Sequence, residues 1–197
     1  MTEPGTWVID LDGVVWRSGR PIDGGAEAIA ELRMRGHGVL FATNNSSSTR
    51  ELHLSRLAAV GIEATPAELV TSAEAAAGLV AEGARVLVLA DPGVHEALLA
   101  RRAEVVERGP ADAVVVGFTR SLDYERLERA ASAVRAGARL IGTNSDPTFP
   151  TPDGVIPGAG ALLAAVVTAA GVEPVIAGKP HDPMAALVRE ISSTMMA

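Results

Sequence analysis

Cysteine is absent from the 197-residue chain, which excludes disulfide frameworks, thiolate zinc sites and cysteine nucleophiles. Positive charge is scarce. Seventeen basic residues stand against 24 acidic ones, for a net charge of −7 and an isoelectric point near 5.1. A protein that grips a nucleic-acid backbone needs a basic face, so no nucleic-acid polymer is expected as a partner. Long apolar runs are missing too. The longest, Ala159 to Val172, falls short of the roughly 20 residues of a spanning helix. The start of the chain carries Glu3 and no basic leader, which predicts no secretory signal. These absences predict a cytoplasmic protein with no membrane partner.

Lysine is nearly missing as well. Sixteen of the basic residues are Arg, and Lys179 is the single Lys. A coding bias that turns Lys into Arg wherever either serves accounts for the sixteen. The surviving Lys then marks a place where a compact, titratable ammonium is needed and a guanidinium fork does not fit.

What is present suits a core: 48% of residues are hydrophobic, enough for one large domain or two small ones. Short apolar runs alternate with helical patterns. Residues 6–9, 39–42, 86–89, 113–116, 140–141 and 175–177 read as strands. Helices are expected at 25–35 with Asp23 as N-cap, from Ser47 or Ser48 to Val60, and from the Thr71–Glu74 capping box to about Glu82. Others start at Asp91-Pro92 and run over 123–136, 159–170 and from about Asp182. Residues 11–22 and the Pro-rich stretch 144–158 read as loops, the second as a boundary. Apolar, non-alternating strands between helices predict parallel sheets covered on both faces, an α/β fold. Gly158-Ala159-Gly160 lacks the full glycine pattern and a preceding strand, which disfavours a nicotinamide site.

Ligands of such folds sit beyond the carboxyl ends of the strands. The first strand delivers Asp10-Leu11-Asp12-Gly13, the second Thr43-Asn44-Asn45, and the last Gly178-Lys179-Pro180. Each alone also reads as a turn or cap. Together they bring two carboxylates, a hydroxyl with amides, and an ammonium toward one rim. Two close carboxylates repel unless a cation lies between them, and their hard oxygens suit Mg²⁺. A carboxylate beside Mg²⁺ and Lys is able to attack phosphorus. A second, two positions on, is able to protonate the leaving alkoxide and then activate water. His37 and His53 read as surface residues, His181 as part of a helix start, and Asn144 and Asp146 as a turn or the site mouth.

These residues resemble the haloacid dehalogenase-like hydrolases, and more narrowly their 4-nitrophenylphosphatase-like branch of nucleotide, phosphoglycolate, glycerol phosphate and pyridoxal phosphate phosphatases. Val8-Ile9-Asp10-Leu11-Asp12-Gly13-Val14, Ala42-Thr43-Asn44-Asn45-Ser46 and Ala177-Gly178-Lys179-Pro180 match its first three motifs, and Thr143-Asn144-Ser145-Asp146 matches a return from the cap. The resemblance implies a Rossmann-like parallel-sheet core, residues 1–80 and 147–197, with an inserted α/β cap at 81–146. It implies a Mg²⁺-dependent phosphatase for small phosphorylated metabolites, a homodimer through the cap, and an aspartyl-phosphate intermediate. In it, Asp10 is the nucleophile and Asp12 the general acid/base. Thr43, Asn44 and Asn45 bind substrate, and Lys179 neutralises nucleophile and phosphate. Mg²⁺ takes the Asp10 side chain and the Asp12 backbone carbonyl.

The family's fourth motif, a Gly-Asp followed by another Asp, has no counterpart here, since the chain holds no Gly-Asp dipeptide. This implies a C-terminally incomplete core and a fragment of a phosphatase. The rival expectations are a non-catalytic remnant and a phospho-aspartate receiver-type switch. Slow hydrolysis of 4-nitrophenyl phosphate is therefore expected of the 197 residues, and faster hydrolysis of a form extended by the downstream codons. Equal rates would show that the fourth motif is dispensable.

Overall fold

Residues 5–17 and 19–195 are described by the computed structural model, so Glu3 lies outside the described residues. The chain order is β1 (Thr6–Ile9), β2 (Trp16–Arg17), β3 (Arg20–Pro21), α1 (Gly25–Met34), β4 (Gly38–Thr43), α2 (Arg50–Ala59), β5 (Leu69–Thr71) and α3 (Ser72–Ala77). There follow β6 (Arg85–Leu89), α4 (Pro92–Ala100), β7 (Glu104–Val106), β8 (Ala113–Val116), α5 (Tyr124–Arg135) and β9 (Arg139–Gly142). The last elements are β10 (Thr148–Thr151), β11 (Gly154–Pro157), α6 (Ala159–Ala170), β12 (Val175–Ile176) and α7 (Asp182–Met195).

Two parallel sheets result, β1-β4-β5 and β12-β9-β8-β6-β7. Strands β4, β5, β6, β8 and β9 are largely buried, and neighbouring residues on them feed different cores. On β4, Val39 and Phe41 join Leu11, Ile29, Leu57 and Leu69 under α1 and α2. Leu40, between them, points the other way, into a core with Val70, Ala76, Val94, Leu98 and Met184. On the second sheet, Val115 and Ile141 enter that same core, while Val114, Val116 and Leu140 meet Val134, Leu162 and Val166 of α5 and α6. Helices α3, α4 and α7 thus form a middle layer shared by both sheets. The alternation is the strand period of two read out against helices on each side. Alanines 73, 75, 76 and 77 are all buried, and their small side chains let α3 lie close to α4.

Several local expectations shift. Asp23 is not the cap of α1; Gly24 is, with φ 80°, a left-handed conformation that glycine adopts without a Cβ clash. Thr49 rather than Ser47 or Ser48 caps α2, its hydroxyl accepting from Leu52 N–H. The Thr71–Glu74 capping box forms as read, but α3 stops at Ala77. Strands β5 and β7, of three residues each, are too short for periodicity to reveal. Residues 11–22 contain the small β2–β3 hairpin, and 144–158 contain the antiparallel β10–β11 hairpin. A strand therefore does precede Gly158-Ala159-Gly160. Those glycines make room for backbone, because a Cβ would come within 2.4 Å of Asp146 O at Gly158 and 2.3 Å of Ser145 O at Gly160.

The second sheet does not end at Asp146. β12 pairs with β9 (Val175↔Ile141, Ile176↔Gly142), and α6 lies against α5. Residues 147–176, read in the sequence as core, supply a hairpin, a helix and an edge strand to this second unit. On the first sheet β1 pairs with β4 alone among the described residues, and its Trp7 and Val8 are about half exposed. No helix among the described residues is long and apolar enough to cross a membrane.

The loop after β4 touches the second unit through α4. Gly93 N–H donates to Ser47 O at 3.1 Å, and a Cβ on Gly93 would sit 2.3 Å from Ser48 O and 2.6 Å from Ser46 O. Since backbone cannot rotate aside, Gly93→Ala is expected to cost about 1–3 kcal/mol and to lower the melting temperature by several degrees. Calorimetry checks this; an unchanged melting temperature would show that the close approach is absent in solution.

Candidate active site

Asp10 follows the last residue of β1. Continuing the β1–β4 register from Ile9↔Phe41 sets it beside Ala42. Its Oδ1 accepts from its neighbour Leu11 N–H at 2.8 Å and from Lys179 Nζ at 2.7 Å. The same ammonium donates to Ala42 O at 2.7 Å. Asp10 remains 42% exposed, so its carboxylate is reachable. Lys179 arrives on the segment that follows β12, two residues after the buried Ala177. Glycine is needed between them: a Cβ on Gly178 would lie 2.5 Å from both Asn44 Oδ1 and Thr143 O.

Asp12 stands on a tight turn. The fully buried Leu11 anchors that turn, its carbonyl accepting from Val14, Val15 and Trp16 N–H. Gly13, with φ 89°, lets the chain reverse. Asp12 Oδ1 accepts from Trp16 Nε1 at 2.9 Å. Burial pushes the Asp12 carboxyl above its ordinary value, and the neighbouring Asp10 carboxylate adds to the rise; the Trp16 bond, Arg56 and Lys179 work against it. Two carboxyls two residues apart therefore stand in different settings, one ion-paired and open, the other desolvated.

Thr43 ends β4 and is buried, its Oγ1 accepting from Asn45 N–H at 3.0 Å, which leaves the hydroxyl to donate to an anion. The Asn45 carboxamide oxygen accepts from Ser47 N–H and Oγ–H at 3.0 and 2.7 Å, so part of that side chain serves its own turn. The Asn44 carboxamide meets Lys179 and Asp146. Asn144 Nδ2 donates to Asn44 O at 2.8 Å, so the turn at 143–146 docks onto the turn at 43–46. Ser46 Oγ and Thr143 Oγ1 share a further bond at 3.0 Å.

All six residues singled out in the sequence, Asp10, Asp12, Thr43, Asn44, Asn45 and Lys179, line one cavity of about 410 Å³. Asn144 and Asp146 line it too, while His181 is exposed at the turn into α7. Phe118 and Phe149 form its apolar wall, stacked with ring centroids 4.7 Å apart. Phe118 carried a signal, two residues beyond the end of β8, where ligands of parallel sheets sit. Phe149 carried none, because it lies on the hairpin read as loop. Trp16 was also missed, although its spacing of four from Asp12 allows the contact.

Among the described residues, no group of three acidic or imidazole side chains is placed to hold one metal ion. The donor set still fits Mg²⁺, which commonly binds one or two carboxylates and completes its shell with water and substrate phosphate. Asp10, open in the cavity, offers a hard carboxylate oxygen for this.

A family model described as haloacid dehalogenase-like hydrolase matches residues 7–102. The acid sugar phosphatase of Staphylococcus saprophyticus is 40% identical over 178 residues, covering 89% of this chain and 69% of its own length. The D-glycerol 3-phosphate phosphatase of Mycobacterium tuberculosis is 38% identical over 179 residues, covering 88% of this chain; the chain spans 50% of that relative's length. A crystal structure of the glycerol phosphate phosphatase from Mycobacterium tuberculosis, in complex with magnesium, superposes with a TM-score of 0.88 at 36% identity. That match covers 95% of this chain and 59% of the other.

His53 is not the surface residue its sequence setting suggested. It is 1% exposed, its Nε2 lies 3.2 Å from Asn45 O, and its Nδ1 is buried without a partner. Burial lowers its pKa from 6.5 to about 4, with nearby Arg56 adding to the drop and the Asn45 carbonyl opposing it. The folded state therefore excludes a proton that the unfolded chain binds. The stabilisation is complete above about pH 6.5 and is lost as pH falls toward 4, by roughly 3 kcal/mol over the window. Melting curves from pH 7 to 4 should show this decline, and His53→Gln should flatten it. An equal slope in the variant would rule His53 out as its source.

Proposed function

Because the chain belongs to the haloacid dehalogenase-like hydrolases, we propose that it hydrolyses small phosphate monoesters through an aspartyl phosphate on Asp10, with Mg²⁺ as cofactor. The observation that carries this reading is the Lys179 ammonium, 2.7 Å from Asp10 Oδ1, beside a second carboxyl whose burial favours its protonated form. The magnesium complex of the related glycerol phosphate phosphatase supports the metal.

An Asp10 oxygen attacks phosphorus, and the bond from phosphorus to the ester oxygen breaks. Asp12, protonated, delivers its proton to the departing alkoxide. Asp12 is then a base: it takes a proton from water, whose oxygen attacks the phosphoryl group. The bond from phosphorus to Asp10 breaks and orthophosphate leaves. Lys179 offsets negative charge on nucleophile and phosphate throughout, and Thr43 donates to a phosphoryl oxygen. Mg²⁺, held by the Asp10 side chain and the Asp12 backbone carbonyl, would supply further neutralisation of the phosphate. The Phe118–Phe149 wall and Asp146 face the leaving group. In this reading the inserted cap is the second sheet with its helices, residues 85–176, and the core comprises the rest.

Asp10→Asn should reduce hydrolysis of 4-nitrophenyl phosphate by ~1000-fold or more, since an amide is no nucleophile toward phosphorus. Lys179→Arg should lose about 100-fold despite keeping its charge, because the fork does not fit between Asp10 and Ala42 O. Steady-state rates with Mg²⁺ check both. Retained activity in Asp10→Asn would overturn the nucleophile, and a stable acyl phosphate would favour the receiver-type switch.

A further inference from the structure

A carboxamide has one acceptor oxygen and two N–H donors. In Asn44 all are engaged by protein. Oδ1 accepts from Lys179 N–H at 2.8 Å; Nδ2 donates to Lys179 O and to Asp146 Oδ2, each at 3.1 Å. No donor of this side chain is left for a phosphate. Its pairing with both polar atoms of the Lys179 backbone, 135 residues away, points elsewhere.

We propose that Asn44 is a positioning residue that clamps the Lys179 backbone, so that the ammonium reaches Asp10 and Ala42 O together. The clamp is itself braced. Asn44 O accepts from Ser72 Oγ at 2.7 Å and from Asn144 Nδ2 at 2.8 Å, which fixes the peptide that carries the carboxamide. Gly178 allows the approach, since any Cβ there would collide with Asn44 Oδ1. A four-carbon stem is flexible, and holding its root in one place removes much of the space over which Nζ would wander. The bond to Asp146 ties the same carboxamide to the turn after β9, so the ammonium is set by residues from both sheets.

This inference rests on the phosphatase reading only for its kinetic consequence, and the single lysine allows a test that needs no activity. Trinitrobenzenesulfonate modifies amines, and mass spectrometry separates Lys179 from the N-terminal amine, which is the internal reference. Asn44→Ala should raise the modification rate of Lys179 several-fold relative to the N-terminus. Asn44→Asp, which keeps the acceptor and loses both donors, should give a smaller rise and replaces the alanine variant if circular dichroism shows that one unfolded. In a double-mutant cycle with 4-nitrophenyl phosphate, Asn44→Ala should lower kcat/KM about 100-fold beside Lys179. Beside Lys179→Met the same substitution should change it less than about twofold. Unchanged Lys179 reactivity in folded variants, or additive losses in the cycle, would overturn the clamp and make Asn44 a direct phosphate contact. Absence of turnover in the parent would count against the phosphatase reading alone, and the modification rates would still decide the clamp.

Discussion

An ammonium held between a carboxylate and a carbonyl organises this molecule. Lys179 Nζ lies 2.7 Å from Asp10 Oδ1 and 2.7 Å from Ala42 O, which joins the ends of β1 and β4 to the segment after β12. Without a cation, Asp10 and Asp12 would meet in a partly buried cavity, and such neighbours resist ionising together. The rest of the site is arranged around this need. Gly178 admits the chain, Asn44 grips its backbone, and Ser72 and Asn144 grip Asn44.

The two sheets reach this arrangement through one layer of helices. Leu40 of the first sheet and Val115 and Ile141 of the second enter the same core around α3, α4 and α7. Because that layer is closely packed with small side chains, a shift of one sheet against the other disturbs contacts on both sides. The turns at 43–46 and 143–146 lie at the rim of this junction and bond to one another. The cavity is accordingly a property of the junction, with Asp10 and Asp12 from the end of β1, Lys179 from the segment after β12, and the Phe118–Phe149 wall from the second unit.

Charge within the cavity is graded by burial. Asp10 is open and paired with an ammonium, while burial of Asp12 raises its pKa above the ordinary value. The two side chains, two residues apart, thereby stand in different electrostatic settings, and the proposed division into nucleophile and proton donor rests on that difference. His53 is kept neutral by burial, and its ring abuts the Asn45 carbonyl without adding a second positive charge near Arg56.

The residue pattern alone determined the α/β class, the main strands and helices, and the six polar residues at strand ends. Apolar runs, capping residues and the single Lys are local signals, and local signals survive in one dimension. β5 and β7 were invisible because three residues carry no period, and their strand state comes from pairing with β4 and β6. Residues 175–177 read as a strand, but the sheet they join was hidden, because pairing with β9 is not a local property of the sequence. Tertiary structure decided what the polar residues do. It turned the Asn44 side chain toward a backbone 135 residues away, buried His53 on a helix whose sequence looks polar, and stacked Phe118 on Phe149. Each depends on the separation and burial of groups far apart in the chain. Those quantities exist only once the packed layers fix distances, and with them the local dielectric that sets proton and hydrogen-bond energies.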